Sequence, residues 1–502
     1  MRISMLRPKQ SSQLALYYAQ TISWTSCHQT LECGSVVVPI DWQNVTSRSI
    51  SLALVKHPAR GVSHGELLVN PGGPGGSGVD LVEAGVANVV DSVIAKNFDV
   101  IGFDPRGVGA SSPVRCFDAA GADRYFYGID RGAIGSATWI AAEKAKAVSL
   151  AQACEKGTGP VLGHIDTVNA ATDMDVIRSA LGAKKLNFLG YSYGTFLGTI
   201  YAGLFPARVG KMVLDGAYDP WGANYAPGSP TGTSASYRVD PASDSIVEQA
   251  VGFEDALSTY LQSCLTNASA TVGILQCPFQ TSLSKAKIAV EGLLSAAAAH
   301  PFVGVDGRLL GDMSLATAID DALYDPTDWP DLTRMFTQLQ EGDPSMAFQF
   351  ADDYNARSSD GSYDDNSDLA HLAIDCLEQG PSVDLKFDRR EAIELRKVAP
   401  VLGIYSAYSD LVCSGWKYGP APFPNVVHAQ GTGPILVIGT TGDPATPYTD
   451  AKNLAKQLAG GHLVTFRGQG HTAYDRGDAC INQTVDDYLL LSKVPAKDPS
   501  CD

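Results

Sequence analysis

An α/β architecture is what this sequence predicts: a mostly parallel central sheet flanked by helices, with a large, mostly helical cap insertion. Three observations predict it. Short apolar runs recur along the chain, each closed by glycine or turn residues; helical patterns fall between them; and this alternation breaks off between about residues 219 and 430 and then resumes.

The elements follow in order. Residues 33–57 alternate and are rich in β-branched side chains, which predicts an antiparallel opening hairpin. Apolar runs at 66–70, 98–104, 186–190, 211–215, 434–440 and 463–467 predict buried parallel strands. A strand covered on both faces needs no polar alternation. Helical periodicity appears at 169–181 and 445–458. The interruption opens with a loop rich in Pro, Gly and Ser (DPWGANYAPGSPTGTSAS), then carries helical patterns at 244–265, 281–298, 314–323 and 331–340. The expected organisation is therefore a core at 30–218, a helical cap at 219–430 and the rest of the core at 431–502.

Composition narrows the function. Of 502 residues, 45% are hydrophobic and 18% charged, which marks a globular chain. A net charge of −17 argues against nucleic acid, whose binding rests on Lys and Arg contacts to phosphate. It suits a soluble secreted protein, or attraction for cationic substrates. No apolar run reaches the ~18 residues that read as a transmembrane helix.

Ten cysteines are present: Cys27, Cys33, Cys116, Cys154, Cys264, Cys277, Cys376, Cys413, Cys480 and Cys501. None forms a CxxC and none sits with histidine at zinc spacing, so no metal site is expected. Cys27–Cys33, Cys264–Cys277 and Cys480–Cys501 have the spacing of disulfides that close local loops, although sequence alone leaves the connectivity open. Asn44, Asn267 and Asn482 each begin a glycosylation acceptor pattern. The first twenty residues lack the apolar stretch of a secretory signal. Cysteine usage favours an oxidising compartment, with an intracellular location and reduced thiols as the alternative.

The chemistry-bearing motif is Gly190-Tyr191-Ser192-Tyr193-Gly194, between a predicted strand and a helix start. In G-x-S-x-G the serine stands on a sharp strand-to-helix turn, and the flanking glycines keep that turn free of clash. The helix then directs its positive end at the site. An acid and a base are expected downstream in the order Ser, Asp, His. Asp443 follows one predicted strand and His471 the next. All three positions fall at strand carboxyl ends, where open α/β sheets place their sites. Asp215, also at a strand end, is the runner-up acid; its plainer reading is a turn or helix cap. Of nine histidines, only His471 follows a strand in a Gly-flanked turn.

Asn70-Pro71-Gly72-Gly73-Pro74-Gly75-Gly76-Ser77-Gly78 follows the first core strand. Its backbone N–H groups suit a developing oxyanion, with Gly73 as the expected donor beside the N–H of Tyr193. Gly73–Gly78 also matches G-x-G-x-x-G, but that fingerprint belongs on a first βαβ unit with an acidic residue about 20 positions on. Asp104 and Arg106, in the Gly-rich turn DPRGVGAS, are expected to brace it by charge-assisted hydrogen bonds.

NPGGPGGSG, DPRGVGAS, GYSYGTFLG and the late TTGDPATP…GHTAY pair together resemble the tripeptidyl-aminopeptidase-like α/β-hydrolases, related to proline iminopeptidases. The resemblance covers roughly 30–490 and implies an α/β-hydrolase fold. It also implies a serine peptidase that cleaves short peptides from a free N-terminus through an acyl-enzyme, without metal or organic cofactor. It implies further that Glu378, in a Cys-x-acid element, binds the substrate's ammonium group, and that Cys376 and Cys413 pair to staple the cap. Related hydrolases in fungal-type secondary metabolism act as esterases, thioesterases or acyltransferases, which is the alternative reading of the same three residues.

Overall fold

The computed structural model describes residues 8–28, 30–219, 245–267, 276–279, 282–421 and 426–502. The segment 220–244, with most of the Pro/Gly/Ser-rich loop, lies outside them.

Twelve strands are present among the described residues. They are β1 (Thr25–Cys27), β2 (Leu31–Pro39), β3 (Ser49–His57), β4 (Glu66–Asn70), β5 (Asp99–Phe103), β6 (Leu186–Tyr191), β7 (Val209–Asp215), β8 (Phe302–Val303), β9 (Leu309–Leu310), β10 (Ile435–Gly442), β11 (Gly461–Gln469) and β12 (Ser500–Cys501). Ten join one sheet in the order β1-β2-β3-β5-β4-β6-β7-β10-β11-β12. The first three strands pair antiparallel, β3 also pairs antiparallel with β5, and the remaining pairs are parallel. This is the mostly parallel α/β sheet that the periodicity predicts, in the α/β-hydrolase form that the resemblance implies.

Side chains alternate through the sheet with period two. Leu68, Phe188, Met212 and Leu214 enter one hydrophobic core, while Leu67, Val69, Leu189 and Val213 enter the core on the opposite face. Burial on both faces explains why these strands read as unbroken apolar runs.

The carboxyl ends of the parallel strands line one edge. There β4 ends at Asn70, β6 at Tyr191, β10 at Gly442 and β11 at Gln469. Tyr191 is registered against Asp215, and Asp215 against Ile438. The chain leaving each of these strands carries one of the predicted site residues.

Between β7 and β10 lie helices Ser245–Asn267, Leu283–Ala299, Asp312–Leu323, Trp329–Glu341, Ser345–Tyr354, Ser367–Gln379 and Leu385–Val398. The first five share a separate hydrophobic core that includes Leu257, Tyr260, Ile319 and Phe336, and Tyr127 from earlier in the chain packs into it; helix Ser367–Gln379 packs instead into the core that holds Leu68 and Phe188, and Leu395 of the last helix into a further cluster. The two-stranded β8–β9 ribbon in this region has no sequence signal; each strand is only two residues long.

All ten cysteines are disulfide-bonded: Cys27–Cys33, Cys116–Cys154, Cys264–Cys277, Cys376–Cys413 and Cys480–Cys501. Five such bonds are the chemistry of an oxidising environment. No helix among the described residues is long and apolar enough to cross a membrane. Asn44 is exposed in a loop. Asn482 is half-buried, and its side-chain oxygen accepts the N–H of Asp475 at 2.9 Å. Asn267 ends its helix, and its side chain lies outside the described residues.

Candidate active site

Ser192 occupies the turn between β6 and helix Tyr193–Leu204 with φ 55° and ψ −130°. A positive φ on a residue with a Cβ is strained and persists only where the surroundings enforce it. The enforcement is visible. The Ser192 N–H donates to Asp215 O at 2.9 Å, and Ser192 O accepts from Thr195 N–H at 2.8 Å and Thr195 Oγ1 at 2.6 Å. The flanking glycines are sterically required: a Cβ on Gly190 would stand 2.4 Å from Gly194 O, and one on Gly194 2.8 Å from Asn70 O.

His471 reaches the same edge from β11. Its Nδ1 lies 2.9 Å and 3.0 Å from the two Asp443 carboxylate oxygens. Asp443 is buried and also accepts from Ala445 N–H at 3.0 Å, Thr446 N–H at 2.9 Å and Thr446 Oγ1 at 3.1 Å. A carboxylate on Nδ1 fixes the tautomer that leaves the Nε2 lone pair unprotonated. Nε2 is buried and has no hydrogen-bond partner among the described residues, so Ser192 Oγ is not bonded to it in this state.

Asp215 has a different task from the one weighed in the sequence. Its carboxylate is fully buried and accepts from Ala473 N–H at 3.1 Å and from Tyr474 N–H at 2.8 Å. It thus anchors the loop after His471, while its own carbonyl holds Ser192. A Cβ on the adjacent Gly216 would meet His471 Cε1 at 3.0 Å.

The glycine loop after β4 lies against the serine turn. A Cβ on Gly72 would stand 2.9 Å from Ser192 Cβ and 2.9 Å from Tyr193 N. The Gly72 N–H is engaged by Asn70 Oδ1 at 3.2 Å, whereas those of Gly73 and Tyr193 have no acceptor among the described residues. As the first residue of its helix, Tyr193 has no intrahelical acceptor.

Glu378 reaches the site from helix Ser367–Gln379. Its Oε1 accepts from Thr167 N–H at 2.7 Å and Thr167 Oγ1 at 2.5 Å, and Thr167 Oγ1 in turn bonds the Tyr193 hydroxyl. This chain joins Glu378 to the residue after Ser192. Burial pushes the Glu378 carboxyl up to about 8, against the downward pull of the Thr167 bonds. Thr167 has no local signal that sequence reading could use. Nor does Tyr324, whose ring meets His471 edge-on at 5.5 Å and whose carbonyl accepts the His471 N–H at 2.8 Å.

Asp104 braces its turn as expected, accepting from Ser77 Oγ at 2.5 Å and Ala110 N–H at 2.8 Å. Arg106 instead reaches across the core. It forks onto Asp173 at 2.6 and 2.7 Å and also donates to Ile40 O, His164 O and Pro39 O. Among the described residues, the groups whose atoms converge closely enough for a metal ion are Cys27/His28/Cys33 and Asp478/Cys480/Cys501, away from this site and with their cysteines in disulfides.

The sequence matches the alpha/beta hydrolase fold family over residues 66–239 and the TAP-like protein family over residues 399–501. It is 34% identical to the serine protease Hip1 of Mycobacterium tuberculosis, over 96% of this chain and 91% of that protein. The chain belongs to the TAP-like α/β-hydrolases. This TAP-like hydrolase is also 36% identical to carboxylesterase B of M. tuberculosis (95% and 89% covered). To the tripeptidyl aminopeptidase of Streptomyces lividans it is 31% identical (96% and 86% covered). It is an enzyme, a serine hydrolase.

The site sets a pH dependence of stability for this TAP-like hydrolase. Burial drives Asp215 up to about 6 and Glu378 to about 8. Each keeps in the fold a proton that the unfolded chain releases near pH ~4. Their contribution is therefore complete below that pH and is lost as pH rises through 6 and then 8. The expected result is a melting temperature that falls from pH 5 to pH 8 in calorimetry. Asp215→Asn flattens the lower part of that fall, and a melting temperature that climbs across the interval contradicts the assignment.

Proposed function

We propose that this enzyme is an aminopeptidase that releases short peptides from free N-termini through an acyl-enzyme on Ser192. The carrying observation is the Asp443–His471 pair, its Nε2 unengaged, at the sheet edge where Ser192 sits on a strained turn. His471 takes the Ser192 proton as Oγ attacks the carbonyl, and Asp443 stabilises the imidazolium. The free N–H groups of Gly73 and Tyr193 receive the oxyanion; one such donor contributes about 3 kcal/mol to the transition state. His471 then protonates the leaving amine, and water repeats the sequence on the acyl-enzyme.

Glu378 supplies the selection for a free N-terminus. An ammonium group draws the proton off a carboxyl held neutral by burial and leaves a charge-assisted pair. The TAP-like relatives named as peptidases support this reading, and the five disulfides support secretion as its setting. Unblocked peptides are expected to be cleaved at least about a hundredfold faster than their N-acetylated forms, because acetylation removes the charge that Glu378 meets. Mass spectrometry of a paired peptide library tests this; equal cleavage of both forms excludes the aminopeptidase reading.

An ester-directed activity is the second reading, favoured by the relative named carboxylesterase B. Ester turnover with no cleavage of any peptide would establish it.

A further inference from the structure

Two carboxyl groups near the reactive centre are not used by the proposed reaction. Asp320 lies in helix Asp312–Leu323, four residues before Tyr324, the residue that packs on His471. Positions four apart share one helix face, so Asp320 is carried on the face that meets the base. Asp368 lies in the first turn of helix Ser367–Gln379. That turn presses on the glycine loop: a Cβ on Gly75 would meet Ser367 O at 2.2 Å and His371 N at 3.0 Å.

Tyr354 connects the two. Its hydroxyl stands beside that of Tyr324 and feels the charges of both Asp368 and Asp320. Tyr354 keeps 39% of its surface exposed, so solvent and solutes reach this side chain.

Each carboxyl leaves one oxygen unsatisfied. Asp320 Oδ1 and Asp368 Oδ2 are buried with no hydrogen-bond partner, and neither residue has an ion-pair partner among the described residues. The charge acting on Asp320 is the like charge of Asp321, and burial pushes Asp320 up to about 8. Burial lifts Asp368 to about 7; His371 pulls it down, but that imidazole is itself paired with Asp375 at 3.1 Å. Buried carboxyls without donors destabilise a fold, so their presence beside a reactive centre points to a ligand that supplies the donors. A metal ion does not fit, because these oxygens do not converge with a third ligand group. A flexible organic cation does.

The side of the cleft follows from the chemistry. The leaving amine takes its proton from His471, so the leaving chain runs past His471, Tyr324 and Asp320. Glu378, tied to Tyr193, serves the substrate's amino end.

We propose that Asp320 and Asp368 form a second anionic subsite, on the leaving-group side of Ser192, that binds the Lys or Arg side chain of a peptide substrate. The proposal rests on the peptidase reading.

The test is a panel of unblocked peptides carrying Lys, Arg or norleucine at each of the first positions after the cleaved bond. Norleucine keeps most of the lysine side chain and lacks the ammonium. The wild-type enzyme is expected to favour Lys or Arg over norleucine by about tenfold or more in kcat/KM at one of these positions. Asp320→Asn and Asp368→Asn are each expected to collapse that ratio, with the loss falling on the cationic peptide. Cleavage without such a preference in the wild type overturns the subsite while sparing the peptidase reading. So does a preference that survives both substitutions. The wild-type comparison needs no variant to fold. If no peptide is cut while p-nitrophenyl acetate is still hydrolysed, the peptidase reading and this proposal fall together.

Discussion

Asp443→Asn is expected to lower kcat by about four orders of magnitude while leaving the protein folded. Both carboxylate oxygens lie within 3.0 Å of His471 Nδ1, so this side chain decides which ring nitrogen carries the proton. An amide turns its NH2 toward Nδ1 and drives the proton to Nε2, which then has no lone pair for the serine hydroxyl. Asp215→Asn is the matched control. Its carboxylate contacts the backbone of residues 473 and 474 and leaves the imidazole tautomer alone. Its effect on kcat is therefore expected to be far smaller, with a shift in thermal stability instead. Steady-state rates on an activated ester, normalised by fluorophosphonate titration of Ser192, separate the two. A greater loss from Asp215→Asn than from Asp443→Asn would transfer the acid role to Asp215.

Arg106→Ala is expected to destabilise the fold by about 3–5 kcal/mol. The guanidinium is fully buried, and Asp173 beside it is 1% exposed. Removing the cation strands that carboxylate in the core and frees the carbonyls of Pro39, Ile40 and His164, which it now satisfies. Trp42 Nε1, at 2.9 Å from Asp173 Oδ1, offsets only part of the loss. Replacing both partners at once (Arg106→Met with Asp173→Leu) is expected to restore most of the stability, because apolar packing takes the place of a pair that was costly to desolvate. Urea denaturation measures both. A loss below about 1 kcal/mol in the single variant would mean that water reaches Asp173.

The strands, the serine turn and the order of acid and base were legible because each has a local signature. An apolar run ends at a glycine-bounded turn, and the reactive residue stands immediately after it. Asp215 and Asp443 share that signature equally, and only the tertiary contacts of residues 473–474 separate them. Arg106 shows the same limit: its turn is readable, but Asp173 lies 67 positions away on a helix with no marker of the pairing. Thr167 and Tyr324 escape sequence reading because helix ends, not motifs, carry them to the site. The β8–β9 ribbon escapes because two-residue strands have no periodicity to detect.

Tyr324 accepts the backbone N–H of His471, and Gly470 is wedged against Pro326, where an added Cβ would come within 2.7 Å of the ring. The end of helix Asp312–Leu323 and the proton carrier are thus tied together. A substitution that shifts this helix end is expected to draw the imidazole off station, so packing changes far from Ser192 are felt at the base.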